Sequence, residues 1–144
     1  MTAVEKLRQG ITTDSAEGTQ ALASDLAREL PAGTTLALHG DMGVGKTTFV
    51  QGLAQGLGVT ERVTSPTFAI YSVHQGRDRS LIHLDAYRIE AERQIESLLL
   101  DDFLTGYYCL AVEWPEKIAG WLPKDTWHLV LSIEPDDRHR VVLR

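Results

Sequence analysis

Gly40-Asp-Met-Gly-Val-Gly-Lys-Thr47 stands between an apolar run, Thr34 to Leu38, and a segment with helical spacing, Lys46 to Leu57. Its three glycines let the backbone curl tightly, so that successive N–H groups point at one centre. A helix opening near Lys46 aims the positive end of its dipole at the same point. A concave row of donors of this kind suits a phosphate. The stretch matches G-x-x-x-x-G-K-[ST] at every fixed position. A chance match in a chain of this length is on the order of one in a hundred, and the strand–loop–helix setting makes chance a poorer account still. In this reading Asp41, Met42, Gly43, Val44, Gly45, Lys46, Thr47 and Thr48 wrap the phosphates of ATP. Lys46 reaches the β- and γ-phosphates, and the Thr47 hydroxyl ligates Mg²⁺, which prefers hard oxygen ligands.

Working outward, the segment before the loop opens with Asp14 and Glu17, a capping-box variant. Apolar or small residues then recur at Thr19, Leu22, Ala23, Leu26, Ala27 and Leu30, which predicts a helix with one buried face. Pro31 and Gly33 end it. Met1 to Thr13 has no clear period and is expected to be loosely ordered. After the loop helix, Gly58 suits a C-terminal cap. Strands are expected over Phe68 to His74, Arg79 to Leu84 and Tyr107 to Val112, with a mostly helical stretch from Ile89 to Phe103. Trp127 to Ile133 and Arg140 to Leu143 pair as a terminal hairpin. The sum is an α/β protein: a single P-loop NTPase-like domain over residues 1–144, with a mostly parallel central sheet, flanking helices and a C-terminal β-hairpin.

A P-loop needs a further carboxylate near the metal, at the tip of a neighbouring strand. Asp85 ends the run Leu81-Ile-His-Leu-Asp, and Glu113 ends Tyr108-Cys-Leu-Ala-Val-Glu. Both stand where open α/β sheets hold their ligands. One of them ligates Mg²⁺ and the other orients a water or senses the γ-phosphate, and the residues alone leave that choice open. Ser65 and Thr67, in Thr64-Ser-Pro-Thr, are candidates for a switch-like hydroxyl that meets the γ-phosphate or the metal. Arg88 is a candidate finger in cis or the partner of an ordinary ion pair. Trp114 is a candidate to stack on a base or close a lid, or else a half-buried packing residue. His39, Trp121 and Trp127 read as packing, and Asp101 and Asp102 as residues flanking a helix.

The chain of 144 residues has 14 basic and 20 acidic side chains, a formal charge of −6. That excludes a protein gripping nucleic acid mainly by bulk charge. Its single cysteine, Cys109, has no intramolecular partner and fits a reducing compartment. No apolar run approaches the ~18 residues of a membrane span, so a cytoplasmic location is expected. No N/TKxD-type guanine motif is present, which favours ATP over GTP.

In order along the chain stand Gly40-Asp-Met-Gly-Val-Gly-Lys-Thr-Thr-Phe, Ser65-Pro-Thr-Phe, His83-Leu-Asp-Ala-Tyr-Arg and Val112-Glu-Trp-Pro-Glu. Together they resemble the bacterial TsaE family, the P-loop ATPases of tRNA threonylcarbamoyladenosine synthesis. The likeness runs from about Ser15 to the C-terminal strands. It implies an unusual strand order, Mg²⁺ held by Thr47 and Glu113, and Asp85 in the Walker-B-like position. It also implies Lys46, Asp85 and Glu113 as the catalytic set, a switch-like Ser65-Pro-Thr loop, and Thr13 and Arg138 near the nucleotide. The implied partner is the TsaB–TsaD pair, with tRNA reached only through it. The chain departs from the family pattern in ending at Arg144, soon after the last strand. Two other readings share the P-loop: a small-molecule kinase, which needs a substrate-binding insert and an arginine-bearing lid, and a non-catalytic nucleotide-gated binding module.

Overall fold

The apolar run at Thr34–His39 forms β2, buried on both faces as a parallel strand at the centre of a sheet must be. In the computed structural model, which describes residues 1–66, 70–96, 98 and 100–144, β2 is paired in parallel with β5 (Tyr108–Glu113) and β6 (Trp127–Ile133). Outside β5 lies β4 (Ser80–Asp85), also parallel. Antiparallel strands close both sides: β3 (Tyr71–Gln75) on β4, and β7 (His139–Leu143) on β6 with β1 (Ile11–Thr13) beyond it. The order is β1-β7-β6-β2-β5-β4-β3. The expected parallel sheet is therefore its four central strands, and the C-terminal hairpin is β6–β7.

Helices α1 (Ala3–Gln9), α2 (Ala16–Ala27) and α3 (Lys46–Gly56) belong to one core, where Leu26, Leu36, Leu38, Phe49 and Leu53 are fully buried. The second core gathers Ile82, Leu84, Leu110 and Val112 with Ile89, Ile95 and Ile118. Among the described residues no helix is long and apolar enough to cross a membrane. Cys109 is fully buried in β5, and burial pushes its thiol up to about 12.

Three local expectations need correction. Residues 1–13 are ordered, because Leu7 is fully buried and Ile11–Thr13 pairs with β7. The first turn of α1 is held by the Thr2 hydroxyl and by the Glu29 carboxylate, which accepts from Ala3 N at 2.7 Å and Val4 N at 3.2 Å. The cap of α2 is Ser15, not Asp14: the Ser15 hydroxyl accepts from Gly18 N at 2.9 Å. Where it is described, the stretch from Ile89 to Phe103 is two short helical pieces rather than one helix. It holds α4 (Arg93–Glu96) and a 3₁₀ turn at Leu100–Asp102, which contains Asp101 and Asp102. Gln94 Oε1 accepts from Glu90 N and Ala91 N, so a turn satisfies that backbone locally. The expected strand from Phe68 begins at Tyr71, and residues 67–69 lie outside the described ones.

Candidate functional site

β2 delivers the chain into the glycine loop at the carboxyl edge of the sheet, and α3 leaves from it. Gly40 has φ 148°, and a Cβ there would lie 2.6 Å from the Leu131 carbonyl oxygen of β6. Gly45 is the N-cap of α3 in the left-handed region, with φ 99° and ψ 24°. The loop borders a cavity of about 390 Å³. Met42, Gly43, Gly45, Lys46, Thr47 and Thr48 line it from the loop and the start of α3, together with Ser65, Asp85, Tyr87, Glu113 and Trp114.

Asp85 and Glu113 are register partners at the tips of β4 and β5, and Ala86 N donates to Glu113 O at 3.0 Å just beyond them. Glu113 is the buried member of the pair, with Asp85 half-buried. Thr47 Oγ1 donates to Glu113 Oε2 at 3.3 Å and lies 2.8 Å from Ser65 Oγ, whose hydroxyl it can accept. The carboxylate only accepts, so His83 Nε2, 2.6 Å from the same Oε2, is the donor. His83 is fully buried, and its Nδ1 has no partner among the described residues. A buried polar atom left unpaired costs about 1–3 kcal/mol. Asp85 Oδ1 accepts from Tyr87 N at 3.0 Å.

Lys46 Nζ donates to Gly40 O at 2.6 Å and stands 3.6 Å from the centre of the Trp114 ring. Burial pulls the ammonium below its ordinary value, and Glu113, Glu116, Asp85 and Asp41 oppose that pull. Trp114 lies 5.1 Å from the Tyr87 ring, centre to centre. It has φ 59° and ψ 52°, a left-handed conformation costing about 1–2 kcal/mol for a residue with a Cβ. In this conformation the indole lies against the lysine and lines the cavity.

Of the residues singled out from the sequence, Met42, Gly43, Gly45, Lys46, Thr47, Thr48, Ser65, Asp85 and Glu113 come together around this cavity. Asp41 is exposed beside it, and Val44 turns its side chain into the core. Thr13 and Arg138 do not line it. Thr13 hydrogen-bonds Thr19 at 2.6 Å and borders another cavity between α1 and α2, and Arg138 is exposed and pairs with Asp136 at 2.6 Å. Thr67 lies outside the described residues. Arg88 is exposed and is absent from the cavity wall. His39 faces His128 at 2.8 Å, away from the cavity wall.

Sequence reasoning assigned no role to His83, Tyr87 or His139. A signal existed for His83: it lies two residues before Asp85 in a strand, so both face the same side. None existed for His139, which reaches Val44 O at 2.9 Å from the far end of the chain.

The family model described as "Threonylcarbamoyl adenosine biosynthesis protein TsaE" matches residues 13–142. The tRNA threonylcarbamoyladenosine biosynthesis protein TsaE of Bacillus subtilis is 39% identical over 129 residues, covering 90% of this chain and 80% of that one. The protein of the same name from Aquifex aeolicus is 35% identical over 141 residues, 96% of each chain. The crystal structure of Bacillus subtilis YdiB superposes with a TM-score of 0.77 at 32% identity, covering 92% of this chain and 81% of that one. A P-loop fold with paired acids at its mouth and a family match over almost the whole length lead to one conclusion: the chain belongs to the TsaE family.

Proposed function

We propose that this protein is a Mg²⁺-dependent ATPase of tRNA threonylcarbamoyladenosine synthesis, acting on a TsaB–TsaD pair rather than transferring the group itself. The observation that carries the reading is the meeting of Thr47, Ser65 and Glu113 beside Lys46 at the mouth of the glycine loop. A hydroxyl and a carboxylate fit Mg²⁺, which takes one or two protein oxygens and fills its octahedron with phosphate oxygens and water. Thr47 and Glu113 would hold the ion, and when bound it supplies charge neutralisation across the β- and γ-phosphates.

The chain's own residues do the rest. The loop N–H groups bind and orient the phosphates. Lys46 leaves Trp114 and Gly40 O for the β- and γ-phosphate oxygens. His83 fixes the Glu113 carboxylate, and Asp85, on the adjacent strand tip, orients the attacking water. Ser65 brings the loop before β3 to the same point, as a switch-like contact. Trp114 and Tyr87 cover the site and keep bulk water from the phosphates.

The pathway assignment rests on the names of the relatives. The charge of −6 supports an indirect role, with tRNA affinity supplied by the partners. A lone buried thiol supports a reducing, cytoplasmic setting. A kinase would need an acceptor-binding insert between α3 and Arg88, where the described chain has a loop and the β3–β4 hairpin. The test is ATP hydrolysis by the purified chain with Mg²⁺, alone and with the TsaB–TsaD pair. Slow turnover that rises with the pair is expected. Turnover that the pair leaves unchanged would remove the partner assignment.

A further inference from the structure

The hairpin β6–β7 packs against the outer side of the glycine loop. At the loop's start Gly40 lies against the Leu131 backbone, and at its end His139 lies against Val44 and Gly45. His139 Nδ1 is 2.9 Å from Val44 O. A carbonyl only accepts, so His139 carries its proton on Nδ1 and donates it there. The peptide that follows is planar and trans, so its C=O and N–H point in opposite directions. Holding the Val44 carbonyl outward, against the hairpin, turns the Gly45 N–H inward, toward the cavity that Gly45 lines. Gly45 O meanwhile accepts from Phe49 N at 2.9 Å, which fixes the next peptide as the first bond of α3. No hydrogen bond to Gly45 N is made among the described residues.

His139 is itself held on both sides. It pairs with Ile133 across the hairpin and with Thr13 of β1 on the other edge. The imidazole also sits 3.5 Å from where a Cβ on Gly45 would be, so it backs the left-handed turn sterically as well.

We propose that His139 is a positioning residue for phosphate binding: its Nδ1–H presets the Val44–Gly45 peptide so that Gly45 N–H is aimed at an anion before the anion arrives. The proposal deepens the ATP reading and rests on it. It assigns β1 and the C-terminal hairpin a part in binding, since they hold His139 in place. Preorganised donors avoid the ordering cost of binding, which is where the gain arises.

The test uses the full chain, its His139→Asn and His139→Leu variants, and equilibrium titration with ATP and with ADP in Mg²⁺. Asn and Leu have the same shape, but only Asn offers an N–H near the Nδ1 position. His139→Leu is expected to weaken ATP and ADP alike by about tenfold, in keeping with one misaimed hydrogen bond to a charged group, and His139→Asn by less than twofold. Equal affinity in all three proteins overturns the proposal, as does equal weakening in both variants. Absence of nucleotide binding by the unsubstituted chain overturns the ATP reading itself, and this inference with it. A measurement on the unsubstituted protein covers the case of variants that do not fold: long-range ¹H–¹⁵N spectra of the imidazoles. The Nδ1–H tautomer for neutral His139 supports the proposal, and the Nε2–H tautomer overturns it.

Discussion

Glu113 is the residue on which the site converges, since a single oxygen, Oε2, receives both His83 Nε2 at 2.6 Å and Thr47 Oγ1 at 3.3 Å. Under the ATPase reading, Glu113→Gln should lower kcat by about 100-fold while ATP still binds, because Gln keeps the shape and loses the charge. His83→Leu should cost about tenfold, the usual scale for a residue that orients a metal-binding group, and should raise the Mg²⁺ concentration needed for half-maximal rate. His83→Gln, which restores a donor, should recover part of that loss. Unchanged Mg²⁺ dependence in His83→Leu would assign the histidine to packing alone. Trp114 gives a second reading at this scale. The ammonium of Lys46 lies 3.6 Å from its ring centre, a contact worth about 1 kcal/mol. Phosphates that draw Lys46 away should change Trp114 emission. Titration of a Trp121→Phe, Trp127→Phe chain isolates that signal, and a signal that survives Trp114→Phe would refute its source.

At the level of elements, α2 and α3 meet backbone to backbone. A Cβ on Gly52 would lie 2.4 Å from Gln20 O, and one on Gly56 would lie 2.5 Å from Ser24 O. The two glycines are four apart, hence on one face of α3. Alanine gains up to about 1 kcal/mol of helix propensity over glycine, but here it must push α2 away. Gly52→Ala should therefore lower stability by about 1–3 kcal/mol, seen as a lower urea midpoint with the slope unchanged. A variant as stable as the parent would mean that α2 shifts at no cost. The same closeness bears on function, because α3 carries Lys46 and Thr47 in its first turn.

For the molecule as a whole, stability should fall on mild acidification, in part because of His39. Burial holds its imidazole below the ordinary 6.5. His128 and Lys46 add to this and Glu116 opposes it. The unfolded chain thus takes up this proton first. The His39 contribution is complete above about pH 6.5 and is lost as pH falls through the lower folded value. Thermal midpoints measured from about pH 7.5 down to pH 5 should decline, and His39→Gln should flatten part of that decline. An unaltered slope in His39→Gln would place the acid sensitivity elsewhere. Cysteine chemistry has no share in this behaviour, since Cys109 is sealed in β5.

The glycine loop was legible because its code is contiguous. Glycines, lysine and threonine at fixed spacing dictate a turn and a helix start wherever they occur, so Gly40 to Thr48, the strand before them and the helix after them could be read directly. Asp85 and Glu113 were legible for a similar reason, as acids closing apolar strands. Between Ile89 and Phe103 the described helical residues fall into two short pieces, a break that residue types alone did not show; the Gln94 side chain closes the turn before α4 by accepting from Glu90 N and Ala91 N. Residues 1–13 were misread because their order comes from Glu29 and β7, which are distant in sequence. The side-by-side register of Asp85 and Glu113, the His83 bond across 30 residues and the His139 bond across 95 exist only once parallel strands and the terminal hairpin close around the loop. By itself the sequence determined the glycine loop with the strand before it and the helix after it, since local backbone chemistry makes them. Tertiary structure alone decided which side chains meet at that loop, because a hydrogen bond between distant residues is set by the packing of the sheet and not by their spacing.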